Sequence, residues 1–254
     1  MLLSVDGLTI NYESAGSGAP VVILHGWGGT LDSVRPIFHC LSRSHQAFVL
    51  DLPGFGESPQ PSSTWGTSEY ANRVGGFMDA VGCPQAHILG HSFGGRIAIV
   101  LAAQDPERVD RLVLVDSAGI RPTRTWRYHA RAKLTKAARS ALRLLPVPRL
   151  REAVMNQVYG LLGSADYRNA GPMRDIFVRV VNEDLAPLLP AIRARSLLVW
   201  GEEDQDVPLA QGEIMAREIP GARLEVLSGA GHFSYIDRLP RFCQLVRDFL
   251  KEEP

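Results

Sequence analysis

The sequence predicts a doubly wound, mostly parallel α/β fold, and three observations lead to that prediction. Segments of helical period, including Glu69–Val81 and Phe93–Gln104, alternate with apolar runs along the chain. With 254 residues, of which 45% are apolar, the chain can fill one globular core. The apolar runs are short, rich in β-branched residues and free of polar alternation, as in strands buried on both faces; they are Val21–Leu24, Ala47–Leu50, His87–Leu89 and Leu112–Val115.

The two ends of the chain add further elements. Leu3–Val5 and Leu8–Tyr12 flank Asp6-Gly7, a pair that favours the positive φ angles of a tight hairpin turn. Near the other end, strand-like runs return at Ser196–Trp200 and Arg223–Leu227. An amphipathic helix then closes the chain, with apolar positions at Phe242, Leu245, Val246, Phe249 and Leu250.

An insertion interrupts this alternation after Val115. Residues 121–190 contain no comparable strand, whereas Trp126–Leu145 places apolar residues along one helical stripe. The sequence therefore predicts a core formed by residues 1–120 and 191–254, with a helical lid at 121–190.

Composition narrows the range of partners. Lys and Arg number 27, as do Asp and Glu, so no overall charge draws the chain toward nucleic acid or anionic lipid. The longest apolar run, Ile97–Ala103, is far too short to cross a bilayer, and the first residues lack a secretory signal. Three widely spaced cysteines, Cys40, Cys83 and Cys243, indicate reduced buried thiols. We therefore expect a soluble, cytoplasmic protein.

A candidate nucleophile lies at Ser92. Gly90-His-Ser-Phe-Gly94 follows an apolar strand directly and leads into a helix, which is the setting of a nucleophile elbow. The glycines suit a sharp turn whose backbone passes close to its neighbours on both sides. The alternative is a glycine-rich turn with an idle serine.

A serine nucleophile needs a base, and His232 is the favoured candidate. It lies in Gly229-Ala-Gly-His, a glycine-rich loop just after the last strand, where the chain returns to the carboxyl edge of the sheet. The alternative is a loop histidine that only caps the final helix. His91 adjoins the serine, but neighbouring residues on a tight elbow point in different directions. Solvated or structural positions are favoured for the others, His39, His45, His87 and His129.

The base needs an orienting acid, for which Asp204 is favoured and Asp116 is the rival. Each follows a predicted strand and is expected at the same edge of the sheet. Asp206 precedes Val207-Pro208, where its negative charge would interact favourably with the dipole at the start of a following helix. The neighbouring charges Glu202 and Glu203 are interpreted as solvated.

An oxyanion would be met by backbone N–H groups of Trp27 and Phe93. His25-Gly-Trp-Gly-Gly29 is a glycine-rich turn after a buried strand, and Phe93 follows the nucleophile. The turn lacks the Lys-Ser/Thr of a phosphate-binding loop. We expect no metal or organic cofactor.

Taken in order, these motifs resemble the α/β-hydrolase superfamily; they are His25-Gly-Trp-Gly-Gly29, Asp51-Leu-Pro-Gly-Phe-Gly-Glu-Ser58, Gly90-His-Ser-Phe-Gly-Gly95, Gly201-Glu-Glu-Asp204 with Val207-Pro208, and Gly229-Ala-Gly-His232. The resemblance implies an eight-stranded sheet with a helical lid after the sixth strand. It implies a triad of Ser92, Asp204 and His232, with oxyanion donors at Trp27 and Phe93. Serine at the elbow argues against the epoxide-hydrolase and haloalkane-dehalogenase branches, which place aspartate there.

The resemblance leaves the branch open. It favours a serine esterase cleaving a small or medium carboxylic ester, close in layout to the methyl esterases of the biotin pathway. A carbon–carbon bond hydrolase of ring-cleavage dienoates is the alternative, although those enzymes usually carry Trp where this chain has Phe233. A ligand-binding receptor that keeps the triad is a third possibility.

The predicted lid is strongly basic. Ten Lys or Arg and no Asp or Glu lie between residues 121 and 151, which leaves the rest of this neutral chain with a formal charge of −10. Such a lid is expected to present a solvated helix face, or to receive an anionic or carrier-protein-linked ester substrate. Nothing in the sequence indicates the oligomeric state.

Overall fold

The computed structural model describes residues 1–121 and 169–252, and its centre is one eight-stranded sheet. The order of the strands across the sheet is β1-β2-β4-β3-β5-β6-β7-β8. The strands are β1 (Leu2–Val5), β2 (Leu8–Ala15), β3 (Pro20–Leu24), β4 (Gln46–Leu50), β5 (Ala86–His91), β6 (Val109–Val115), β7 (Arg195–Gly201) and β8 (Arg223–Leu227).

Helices connect the strands along the chain. In the described part of the chain the α-helices are α1 (Arg35–Leu41), α2 (Thr67–Ala80), α3 (Phe93–Gln104), α4 (Arg174–Asn182), α5 (Leu209–Glu218), α6 (Ser234–Asp237) and α7 (Leu239–Lys251). Short 3₁₀ turns lie at Leu31–Val34, Pro106–Arg108, Gly171–Met173 and Ala186–Ala191.

The first two strands form the predicted hairpin. They pair antiparallel with Val5 opposite Leu8, and the intervening Asp6 and Gly7 both have positive φ, at 43° and 80°. Such a turn matches the right-handed twist of the strands that it joins. The strand β2 continues further than the sequence pattern indicates, because its second half, from Tyr12 to Ala15, pairs antiparallel with β4.

The remaining strands are parallel, which confirms the predicted fold class. Strands β3 to β8 all pair in parallel, and β3, β5, β6 and β7 are almost wholly buried. Burial on both faces explains why their sequences are apolar without alternation. All six carboxyl ends reach one edge of the sheet, so the loops that follow these strands meet there.

The chain divides into two compact units. One comprises Met1–Arg121 and Arg179–Pro254, and the other comprises Pro122–Val178. The predicted stripe of Trp126–Leu145 and the basic run from Arg121 to Arg151 lie outside the described residues, apart from Arg121 itself. The limits of a lid at 121–190 stay a prediction. In the described ranges, no helix combines the length and apolar character that crossing a membrane requires.

The cysteines depart from the prediction. Cys40 on α1 and Cys243 on α7 are joined as a disulfide, with their Cα atoms 6.1 Å apart. Cys83 is free and buried, and burial raises the pKa of its thiol to about 11. The prediction of three reduced thiols is therefore wrong for Cys40 and Cys243. The two helices pack together on one face of the sheet, and the spacing of cysteines in the sequence does not reveal that proximity. The cytoplasmic location loses the support of those thiols and stays a prediction.

Candidate active site

Ser92 lies on a sharp turn between β5 and α3. Its backbone has φ 51° and ψ −109°, a strained conformation for a residue with a side chain. Gly90 and Gly94 are required there, because a Cβ at Gly90 would overlap the carbonyl group of Gly94, and one at Gly94 would overlap the backbone of Leu24. The strand, turn and helix therefore present the Ser92 side chain at the carboxyl edge of the sheet.

The structure brings His232 to Ser92. The Nε2 atom of His232 lies 3.1 Å from Ser92 Oγ, although 140 residues separate the two in sequence. Its other ring nitrogen, Nδ1, lies 2.8 Å from Asp204 Oδ2. Because a carboxylate only accepts hydrogen bonds, Nδ1 carries the proton and Nε2 is left as the acceptor for the serine hydroxyl. This is the tautomer that a general base requires.

Asp204 is held as a buried carboxylate. Its side chain is fully buried, and Oδ1 accepts hydrogen bonds from the backbone N–H groups of Asp206 and Val207, each at 2.9 Å. Burial by itself lowers the pKa of His232. The hydrogen bond and the charge of Asp204 outweigh burial and raise that pKa above its usual value, and the charges of Asp116 and Asp206 raise it further. The acid therefore stabilises the imidazolium that forms when the serine loses its proton.

The rival acid, Asp116, lies nearby but does not bond to the imidazole. Its carboxylate accepts from the backbone N–H of Gly201 at 2.7 Å and from Ser234, through the backbone N–H at 3.1 Å and Oγ at 2.6 Å. Glu202 and Glu203 are exposed, as predicted. Of the carboxylates that the sequence singled out, the structure thus brings only Asp204 to Nδ1.

The loop after β3 passes directly beside the nucleophile. A Cβ at Gly26 would lie 3.3 Å from Ser92 Cβ, and the rings of Trp27 and Phe93 pack edge to face with centroids 5.2 Å apart. Phe93 is the first residue of α3, and the first N–H groups of a helix have no acceptor within it. The loop that carries Trp27 and the first residue of α3, Phe93, therefore adjoin Ser92, and their role as oxyanion donors stays a prediction.

Two buried histidines support these loops. His25 accepts from the Leu52 N–H at Nε2, 3.0 Å away, and donates from Nδ1 to the Gly26 carbonyl at 2.8 Å. His91 donates from Nε2 to the carbonyl of His232 at 2.9 Å. Burial lowers the pKa of His25 to about 4 and that of His91 to about 3, so both rings are neutral at neutral pH.

Sequence reasoning rejected His91 as the base and assigned it no other part in the site. The ring does point away from the serine hydroxyl, as expected of neighbouring residues on an elbow. That direction takes it to the backbone of the base instead. The structural role of Asp116 was also missed, since no pattern in the sequence links it to Ser234, 118 residues away.

Among the described residues, one group could converge on a metal ion. Asp204, Asp206 and His232 offer ligand atoms that all lie within 4.8 Å of one another. Two of the three already bond to each other, and Asp204 Oδ1 is engaged by backbone N–H groups. Both Asp204 oxygens and His232 Nδ1 are thus already engaged by protein groups, which suits acid–base chemistry at His232.

The sheet, the elbow and the serine–histidine–aspartate geometry together define a hydrolase of the doubly wound α/β class. A family model described as "alpha/beta hydrolase fold" matches residues 19–142 and 129–239. The chain belongs to the α/β-hydrolase family.

Relatives in this family include two 2-hydroxymuconate semialdehyde hydrolases. A 2-hydroxymuconate semialdehyde hydrolase of Pseudomonas sp. (strain CF600) is 30% identical, covering 97% of this chain and 92% of the relative. A second, from Pseudomonas putida, is 31% identical with the same coverage.

Solved structures agree on the fold. A meta-cleavage product hydrolase from Pseudomonas fluorescens superposes with a TM-score of 0.75 at 27% identity, covering 98% of this chain and 97% of that one. An enol-lactonase from Burkholderia xenovorans gives a TM-score of 0.76 at 26% identity, covering 99% and 100%.

Proposed function

We propose that this protein is a serine hydrolase that cleaves a carboxylic ester through an acyl-enzyme on Ser92. The observation that carries the proposal is the continuous chain of hydrogen-bonding distances from Ser92 Oγ through His232 to Asp204, at 3.1 and 2.8 Å. A serine hydroxyl is a weak nucleophile at neutral pH, and this arrangement supplies both the base and its orienting acid.

Acylation follows from the geometry. Ser92 Oγ attacks the carbonyl carbon of the ester while its proton passes to His232 Nε2. The negative charge that develops on the substrate oxygen is met by the backbone N–H groups of Trp27 and Phe93. When the tetrahedral intermediate collapses, His232 returns the proton to the departing alcohol, and the acyl group remains on Ser92.

Deacylation repeats these steps with water. His232 takes a proton from a water molecule, which attacks the acyl carbon, and the carboxylic acid leaves as Ser92 recovers its hydrogen. Every proton is carried by His232, and Asp204 stays ionised throughout.

A second candidate is hydrolysis of a carbon–carbon bond in a ring-cleavage product. It is favoured by the names of the two relatives at 30% and 31% identity. The same serine attack on a ketone would give an acyl-enzyme, but the departing group would be a carbon that must gain a proton. Phe233, which follows His232 and is 47% exposed, occupies the position where such enzymes usually carry Trp. We therefore place the ester first.

Two substrates assayed side by side test the choice. A series of p-nitrophenyl esters of rising acyl length should be hydrolysed with burst kinetics, and a 2-hydroxy-6-oxo dienoate should be cleaved much more slowly. If kcat/KM is instead higher for the dienoate, carbon–carbon bond cleavage becomes the proposed reaction and the assignment of the triad is unchanged. Equal activity of Ser92→Ala and the wild-type chain on both substrates would contradict the shared mechanism.

The charge of the predicted lid bears on the substrate class. The basic run in residues 121–151 favours an ester with an anionic group or a carrier-protein-linked acyl chain, because opposite charges raise the rate of encounter.

A receptor-like role, in contrast to an esterase, would show slow turnover together with ligand-dependent capture of a partner. Measured turnover on any ester of the series separates these two functions.

A further inference from the structure

The carboxyl end of β6 carries a buried acidic residue that the proposed mechanism does not use. Asp116 has no exposed surface, and its backbone has a φ of 44°, in the left-handed region that residues with side chains rarely adopt. A buried carboxyl group at a strained backbone position is costly unless the surrounding structure requires it. Its contacts therefore need an explanation.

Those contacts join three separate segments. The N–H of Asp116 donates to the carbonyl of Val199 on β7 at 3.0 Å. Its carboxylate oxygen Oδ1 accepts from the N–H of Gly201 at 2.7 Å, at the point where β7 ends and the loop to Asp204 begins. The other oxygen, Oδ2, accepts from the N–H and Oγ of Ser234, at 3.1 and 2.6 Å, two residues after His232.

These bonds connect the loops that carry the acid and the base. Asp204 and His232 must keep a hydrogen-bond geometry of 2.8 Å between groups on two different loops. Errors of about 1 Å in such positions can lower a rate by about 100-fold. Both loops are anchored to the same carboxylate, one through each oxygen.

We propose that Asp116 is a positioning residue that holds the Asp204 loop and the His232 loop in register for proton transfer. The inference rests on the proposed function, because it assumes that His232 is the base for Ser92. It assigns Asp116 no contact with substrate and no proton of the reaction.

The electrostatics of the cluster agree with this role. Desolvation raises the pKa of Asp116 to about 7, against the hydrogen bonds from Ser234 and Gly201, which lower it. The groups that face it are Asp204 from the loop after β7 and His232 and Tyr235 from the segment after β8. The charge of Asp116 raises the pKa of His232, so its removal should also be visible in the pH dependence of the reaction.

Asp116→Asn tests the inference with little change in size. An amide has one acceptor oxygen, and its NH₂ group would face an N–H donor from either Gly201 or Ser234, so one of the two loops loses its anchor. We expect kcat for a p-nitrophenyl ester to fall by about 10- to 100-fold with KM nearly unchanged. The acid limb of the kcat/KM profile should move to lower pH.

Ser234→Ala provides a second, milder variant that retains the carboxylate. It removes the 2.6 Å bond and leaves the backbone N–H in place, so kcat should fall by about fivefold, the equivalent of one ordinary hydrogen bond. The double variant should lose less activity than the product of the two single losses, because both changes act on the contacts of the one Asp116 side chain. Asp110→Asn, at the exposed amino end of the same strand, is the matched control and should leave kcat unchanged.

Ser92→Ala, assayed in parallel, separates the two proposals. If it is inactive while Asp116→Asn and Ser234→Ala keep the wild-type kcat, the positioning role is wrong and the triad stands. The role is also wrong if both variants lose activity only in proportion to lost folded protein, with an unmoved acid limb. If Ser92→Ala keeps full activity, the proposed function fails, and the inference fails with it.

Discussion

The two edges of the same sheet are built from different kinds of polar contact. At the carboxyl edge, buried groups on separate loops bond to one another, as His91 does to the backbone of His232 and Asp116 does to Ser234. At the amino edge, half-exposed ion pairs dominate. Glu252, for example, bonds to Arg195 at 2.7 Å and to Arg223 at 3.1 Å, with side chains 34% to 48% exposed.

The difference predicts at which edge a substitution has consequences. Exposed ion pairs are screened by solvent and contribute little to folding, whereas an unpaired polar group in a buried site is costly. Substitutions at the carboxyl edge should therefore change turnover first, and matched substitutions at the amino edge should leave turnover unchanged.

Asp204→Asn should have the largest effect of these substitutions. The amide would leave His232 in the wrong tautomer, with the proton on Nε2 facing the serine, so kcat should fall by about 10⁴-fold. Steady-state kinetics on a p-nitrophenyl ester measure the loss. Asp206→Asn, two residues further along the same loop, is the control and should retain most of the activity. Comparable losses in both variants would contradict the assignment of the acid.

His91→Phe and His87→Phe compare the two ends of the single strand β5. The first change keeps an aromatic ring but leaves the partly buried carbonyl of His232 without its donor, so kcat should fall by about tenfold and the free energy of unfolding by about 1 kcal/mol. The His87→Phe change removes a ring that faces Asp110 at the amino end and should leave kcat unchanged. Kinetics and urea unfolding of both variants provide the test; equal losses of kcat would remove the contrast between the edges.

Acid should destabilise the protein through its buried neutral histidines. Burial lowers the pKa of His91 to about 3 and those of His25 and His87 to about 4 in the folded chain. In the unfolded chain these rings titrate near pH 6.5, so between about pH 6.5 and pH 4 the unfolded state binds protons that the folded state does not. The free energy of unfolding should fall across that window, and less steeply in His91→Phe. Urea unfolding at several pH values measures both slopes, and parallel slopes would contradict the prediction.

Glu252→Gln should have the smallest effect. It weakens two ion pairs whose partners are about half exposed, so the free energy of unfolding should change by less than about 1 kcal/mol, and kcat should not change. Thermal unfolding in low and high salt, with kinetics alongside, measures both quantities. A tenfold loss of kcat would show that the amino edge influences the active site.

The sequence predicted the features that depend on local pattern. The parallel strands could be recognised because burial on both faces requires unbroken apolar runs, and the hairpin because Asp6-Gly7 supplies two positive φ angles. Ser92 was identified by its glycines, which the structure shows to be required by contacts closer than a side chain allows. Asp204 and His232 were placed at one edge by topology.

The features that were missed depend on contacts between distant segments. The Cys40–Cys243 bond joins residues 203 positions apart, and no spacing rule indicates that α1 and α7 pack together. His91 and Asp116 act through hydrogen bonds to the backbone or side chain of residues more than 110 positions away. The hydrogen-bond partners of these residues are set by how the loops pack in the folded chain. The identity of one residue in the sequence does not reveal which distant loop it will contact.

Labelling with a fluorophosphonate probe identifies the activated serine. The reagent reacts with serines that a neighbouring base activates, so peptide mapping should find about one equivalent of adduct on Ser92 in the wild-type chain. Ser92→Ala should take up no label, and Asp204→Asn should be labelled far more slowly while still folded. An adduct on another residue, or equal labelling of the wild-type and Ser92→Ala proteins, would contradict the account.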